Sequence, residues 1–180
     1  MTRALIIVDV QNEYFPEGAI PLVGSDVALA EVQKVLAYFR ETNQHIVHIQ
    51  HFERDVEAGY FTKGTHGAEI HSTVKPRDGE AHFTKHTPNS FAGTPLLGHL
   101  LERKITELVV VGMMTHMCID STVRAAFDAG FTVQLVGAAC ATYDQEFKGA
   151  TVPAASVNAA FFAAIDGTFA TVVSSDEVCG

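Results

Sequence analysis

"LVVVGMMTHMCIDSTVRAAFDAGF", residues 108–131, joins two kinds of periodicity within one turn of chain. Leu108 to Val111 is aliphatic without alternation, the pattern of a strand buried on both faces, while Ile119 to Ala129 repeats apolar residues at helical spacing. A parallel strand feeding a helix is the unit of a doubly wound sheet, and the chain repeats it. Further aliphatic runs lie at residues 4–9 (ALIIVD), 45–50 (HIVHIQ), 132–137 (TVQLVG) and 170–174 (ATVVS), with a shorter one at 81–85 (AHFTK). Amphipathic segments at 25–42, 94–103 and 153–166 fall between them. These spacings predict one α/β domain over residues 1–180. It is a three-layer αβα, Rossmann-like arrangement, with a doubly wound, mostly parallel six-stranded sheet.

At 180 residues with 47% hydrophobic side chains, the chain is long enough for one core and too short for two domains of ordinary size. Twelve Lys and Arg against 21 Asp and Glu leave a formal charge of -9 without a basic cluster, which argues against a nucleic-acid partner. No signal-peptide pattern opens the sequence and no apolar run approaches the roughly 20 residues of a membrane span, so a soluble, cytoplasmic protein is expected. The three cysteines, Cys118, Cys140 and Cys179, are odd in number and lack paired CxxC spacing, which predicts free thiols. Cys140 reads as a small buried hydrophobe, and Cys179 is next to last.

In an open parallel sheet, ligands bind beyond the carboxyl ends of the strands. Asp9, Gln50 with His51, Lys85 and the stretch Gly112 to Cys118 occupy those ends. A cysteine at the first turn of the following helix meets free backbone N–H groups and a positive dipole end, which favour a thiolate and can also stabilise an oxyanion. Asp9 could serve as a base or merely cap a turn. Lys85 could orient Asp9, lower the Cys118 pKa, bind a substrate oxygen, or be a solvated surface charge. The segment from Phe52 to Asn89, rich in His, Gly and Thr, reads as a long functional loop.

"LIIVDVQNEYF" at 5–15, "KHTPNSFAGTPL" at 85–96 and the opening stretch together resemble the isochorismatase-like cysteine hydrolases, a superfamily that includes nicotinamidases and N-carbamoylsarcosine amidohydrolases. The resemblance spans nearly the whole chain. It implies a triad of Asp9, Lys85 and Cys118 that cleaves a C–N bond in an amide, lactam or carbamoyl compound through a thioester. It also implies a cis peptide between Met113 and Met114, an oxyanion hole from the Met114 and Cys118 N–H groups, no organic cofactor, and assembly as a homodimer or homotetramer. Gln11, Phe15, His51 and His116 lie close to these motifs and are candidate substrate contacts, with Phe15 equally readable as a core aromatic.

Nicotinamidases carry D-x-H after the second strand to hold a metal, whereas the matching positions here are His51 and Glu53. Those two could ligate zinc together with His66 or His71, or the histidines could be ordinary hydrogen-bonded side chains. Isochorismatase members that cut the vinyl ether use no cysteine nucleophile, so Cys118 favours an amidase. The motif wording is most similar to the branch near streptothricin hydrolase. Two further classes stay open: a catalytically silent ligand-binding member, and metal-assisted hydrolysis through His51 and Glu53.

Overall fold

The computed structural model describes residues 2–180. Six parallel strands form one sheet: β1 (Arg3–Val8), β2 (His45–His51), β3 (Ala81–Lys85), β4 (Glu107–Met113), β5 (Thr132–Ala141) and, last in the chain, β8 (Thr171–Val173). Their order is β3-β2-β1-β4-β5-β8. From β1 the chain builds outward through β2 and β3, then crosses to β4 and builds the other way. The topological switch therefore lies between β1 and β4, where a doubly wound sheet opens its crevice.

Both faces of the sheet are apolar because both are covered. Leu5 and Ile7 of β1 pack with Val32, Val35, Leu36 and Phe39 of α1 (Ser25–Glu41) and with Val178 of α5 (Ser175–Cys179). Ala4, Ile6 and Val8 face the opposite layer, where α2 (Leu96–Glu102), α3 (Asp120–Asp128) and α4 (Ala154–Ile165) supply Leu100, Val123 and Ile165. Each fully buried aliphatic side chain contributes about 1.5–3 kcal/mol, which is why alternation is absent from these strands. No helix among the described residues is long and apolar enough to cross a membrane.

Several boundaries differ from the sequence expectation. The second helix starts at Leu96 rather than Thr94, because Pro95 forces the residue before it out of the α region and itself takes the N-cap place. The strand expected to end at Gly137 continues to Ala141 after a register irregularity opposite Val110 and Gly112. A hairpin of β6 (Gln145–Phe147) and β7 (Ala150–Val152), and helix α5, were not anticipated. The long segment after β2 is ordered by turns at Val56–Ala58 and Ser72–Val74, by a bridge between Gln11 and Ile70, and by the His71 N–H donating to the Val10 carbonyl at 2.9 Å.

Candidate active site

Three strand ends, those of β1, β3 and β4, deliver one side chain each to the site. Asp9 follows the last residue of β1 with a left-handed φ of 52°, so the chain leaves the sheet at the carboxylate. Lys85 closes β3 and pairs in register with His51 on β2. Cys118 lies in a π-helical turn, Thr115–Ile119, between β4 and α3, so α3 begins two residues after the thiol. Such turns interrupt regular hydrogen bonding and recur at functional sites. Gly112 makes the turn possible: its φ is 127°, and a Cβ there would overlap the Val8 backbone of β1. The peptide bond between Met113 and Met114 is cis.

The Lys85 ammonium reaches across the end of β2 and gathers the site around itself. Its Nζ lies 2.6 Å from Asp9 Oδ2, 3.2 Å from Cys118 Sγ, 3.3 Å from His51 Nδ1 and 3.0 Å from the Thr87 carbonyl. Asp9 and Lys85 are buried and Cys118 is 6% exposed. Burial alone would lower the Lys85 pKa, but the facing Asp9 and Cys118 outweigh it and hold the ammonium above the ordinary lysine value. The Asp9–Lys85 contact is an ion pair without the angles of a full hydrogen bond, and neither Asp9 oxygen accepts one elsewhere among the described residues.

The resting thiol departs from expectation. Burial, and then the Asp9 carboxylate, raise the Cys118 pKa far above the ordinary thiol range, with Lys85 pulling in the opposite direction. Position near a helix start predicted a thiolate, whereas burial and the facing carboxylate favour the protonated thiol. Cys140 is likewise buried, with its thiol pushed up to about 12 by desolvation.

The remaining expected site residues divide. His51 joins the site as a neutral acceptor for Lys85, its pKa lowered by burial and then by the ammonium. Phe15 is buried, packs against the His71 ring at 4.6 Å and lines a groove of about 590 Å³ beside the site loop. Gln11 is committed elsewhere. Its Nε2 donates to the His51 and Ala68 carbonyls at 2.9 and 2.7 Å, and its Oε1 accepts from the His51 N–H at 2.8 Å. With both amide atoms engaged, Gln11 braces the end of β2. His116 is held by other neighbours: its Nδ1 bonds Thr142 Oγ1 at 2.6 Å and its ring packs against Tyr143 and Phe161.

The four candidate metal ligands are not brought together. His51 Nε2 is 4.0 Å from Glu53 Oε2, but His66 contacts Asn12, and His71 Nδ1 engages Thr73 at 2.9 Å. Among the described residues no three His, Cys, Asp or Glu side chains gather as a metal set.

Two contributors were missed by sequence reasoning. Tyr14 is buried, and its phenol is raised well above the ordinary value by burial and then by Cys118 and Asp9, which places it near those two side chains. Its place five residues after Asp9 was a usable signal. Phe61 packs edge-on against both Tyr14 and His51, and nothing in the loop's composition marked it.

The comparisons with known proteins follow the same lines. The isochorismatase domain model matches residues 3–177. The isochorismatase family protein YddQ of Bacillus subtilis is 44% identical over 176 residues, 98% of each chain. A streptothricin hydrolase of Streptomyces noursei is 35% identical over 143 residues, 79% of this chain and 55% of that one. Among solved structures, an isochorismatase hydrolase from Oleispira antarctica superposes with a TM-score of 0.94 at 45% identity, covering 99% of this chain and 97% of the other.

Proposed function

This chain belongs to the isochorismatase family and is a hydrolase of that family, and on that premise we propose that it cleaves a C–N bond in a small amide, lactam or carbamoyl compound through a thioester on Cys118. The observation that carries the reading is the ammonium of Lys85 held within 3.2 Å of both a buried carboxylate and a buried thiol. A similar protein bears the name ureidoacrylate amidohydrolase, which favours an amide over an ester.

The sequence of steps follows from the protonation states. Asp9 removes the Cys118 proton as sulfur bonds the carbonyl carbon, and the charge moves to the carbonyl oxygen. The N–H groups of Met114 and Cys118 receive that oxyanion; the Met114 carbonyl is already held by the Met117 and Ile119 N–H groups, which fixes the turn. Asp9 then returns its proton to the departing nitrogen, the C–N bond breaks, and ammonia or an amine leaves. Water attacks the thioester with Asp9 again as base, releasing the acid and restoring the thiol. Lys85 keeps its proton throughout, steadying the carboxylate and then the sulfur as each carries charge.

The test is ammonia or amine release from a panel of small amides, with peptide mass spectrometry of Cys118 during turnover. Parent protein should carry an acyl group on Cys118, and Cys118→Ala should lose activity by a factor on the order of 10⁴ or more. Turnover that survives Cys118→Ala would overturn the reading. The same reading has the protein working as a homodimer or homotetramer, which light scattering reads as two or four chain masses.

A further inference from the structure

A thiol meant for small molecules needs a path to solvent, yet the triad is buried to the last member and Cys118 is only 6% exposed. Grooves of about 590 and 630 Å³ open elsewhere on the molecule, and neither is lined by Asp9, Lys85 or Cys118. Access to the thiol is therefore set by the side chains packed around it, and Phe61 stands between this site and the exposed Tyr60.

Phe61 fills the space between the two rings that flank the triad. Its ring meets Tyr14 at 5.0 Å and His51 at 5.4 Å, both edge-on, and His51 in turn touches Lys85 at 3.3 Å. On its outer side stands Tyr60, ring to ring at 6.1 Å and 37% exposed. Going inward, the order is therefore Tyr60, Phe61, His51 and Lys85. Phe61 holds a left-handed φ of 47°, a backbone state that a bulky side chain keeps only when its surroundings impose it.

What imposes it is Glu13. This carboxylate is 5% exposed, and its Oε1 accepts the Phe61 N–H at 2.8 Å while its Oε2 accepts the Ala19 N–H at 3.0 Å. Gly67 lies flat against the same carboxylate, with no room for a Cβ. The Phe61 carbonyl completes the attachment by accepting from the Glu53 N–H at 3.1 Å. Buried carboxylates are tolerated when their hydrogen bonds are met, and the Phe61 and Ala19 N–H groups meet those of Glu13.

We propose that Phe61 is the gate over the Cys118 pocket, latched by the buried carboxylate of Glu13, and that its bulk sets the size of acyl group that reaches the thiol. Phe61 is then a specificity-determining residue, and Glu13 a positioning residue acting through it. The inference rests on Cys118 being the reacting thiol, so it is tested by access to the thiol rather than by turnover.

The experiment alkylates the folded protein with a small reagent, iodoacetamide, and a bulky one, N-phenylmaleimide, and reads each cysteine by peptide mass spectrometry. Phe61→Ala should raise the Cys118 rate with the bulky reagent about tenfold more than with the small one, as expected when a local opening is made permanent. The pH dependence of the reaction should stay where it is in the parent. Phe61→Leu should fall between parent and alanine, and Glu13→Gln should raise both rates without abolishing the size preference. The proposal is overturned if the bulky-to-small ratio is the same in parent and Phe61→Ala. It is equally overturned if buried Cys140 becomes reactive together with Cys118 in both Phe61 variants, because the loosening is then global. Amidase activity absent from a parent whose gating behaves as described would remove the acyl-transfer reading and leave the gate standing.

Discussion

At the scale of single residues, the site is a problem of charge in a low-dielectric place. Lys85 and Asp9 neutralise one another at 2.6 Å, and either alone would be a buried unpaired charge. Breaking such a pair costs about 3–5 kcal/mol, so Lys85→Met should lower the urea midpoint by that equivalent, and Asp9→Asn combined with Lys85→Met should regain part of it. A loss in the double variant equal to the sum of the Asp9→Asn and Lys85→Met losses would mean that the charges are not coupled. The residue types were legible in the sequence because strand ends in a parallel sheet are few and each carried a chemically distinctive group. The protonation state of Cys118 was not, since it depends on how deeply neighbouring segments cover the turn. Gln11 and His116 illustrate the same limit. Both lie beside motif residues in sequence, yet their polar atoms are used by the His51 backbone and by Thr142.

At the scale of elements, two contacts hold the strand ends in place. Gly112 lets β1 and β4 approach where Asp9 and the cysteine turn diverge, and an alanine there meets both the Val8 backbone and a positive φ. Gly112→Ala should therefore destabilise by about 4 kcal/mol or more, measured by denaturant unfolding, and a loss under 1 kcal/mol would contradict the close approach. Ser90 ties the segment after Lys85 to α3, its N–H donating to Thr122 Oγ1 at 3.1 Å and the two hydroxyls lying 2.8 Å apart. Ser90→Ala leaves a buried Thr122 hydroxyl short of a partner and should cost about 1–3 kcal/mol. The parallel six-stranded sheet and its helix layers were readable because both rest on periodicity that burial enforces. The β6–β7 hairpin was not, because its three-residue strands are too short for a period. The start of α2 was decided by a single proline.

At the scale of the whole molecule, burial acts on the histidines together. His45, His48, His51, His71, His82, His99 and His116 all have pKa values lowered, chiefly by desolvation, with His45 at about 4. The unfolded chain takes up protons at these sites near pH 6.5 while the native protein resists them, so stability falls as pH drops below about 6.5. Glu80, held down to about 2 by Arg40, the Arg77 N–H and His48 against the upward pull of burial, contributes stability above its unfolded pKa and loses it as pH falls toward 2. On the alkaline side Cys118 and Cys140 are raised by burial. Unfolded thiols ionise near about 8.5 and native ones do not, so stability falls again as pH rises past that point. Thermal melting across pH should peak between about pH 7 and 8.5, and a midpoint higher at pH 5 than at pH 7 would contradict the assignment of neutral buried histidines.

The central claim is that the Cys118 thiol is governed by a carboxylate on one side and an ammonium on the other, and the most direct test is the pH profile of its iodoacetamide reaction in Asp9→Asn and Lys85→Ala. Removing the carboxylate takes away a cause that raises the thiol pKa, so the Asp9→Asn profile should move to lower pH. Removing the ammonium takes away the opposing cause, so the Lys85→Ala profile should move to higher pH. Shifts of opposite sign would establish a thiol set between base and cation. Profiles that stay with the parent, or that move in the same direction, would contradict the account.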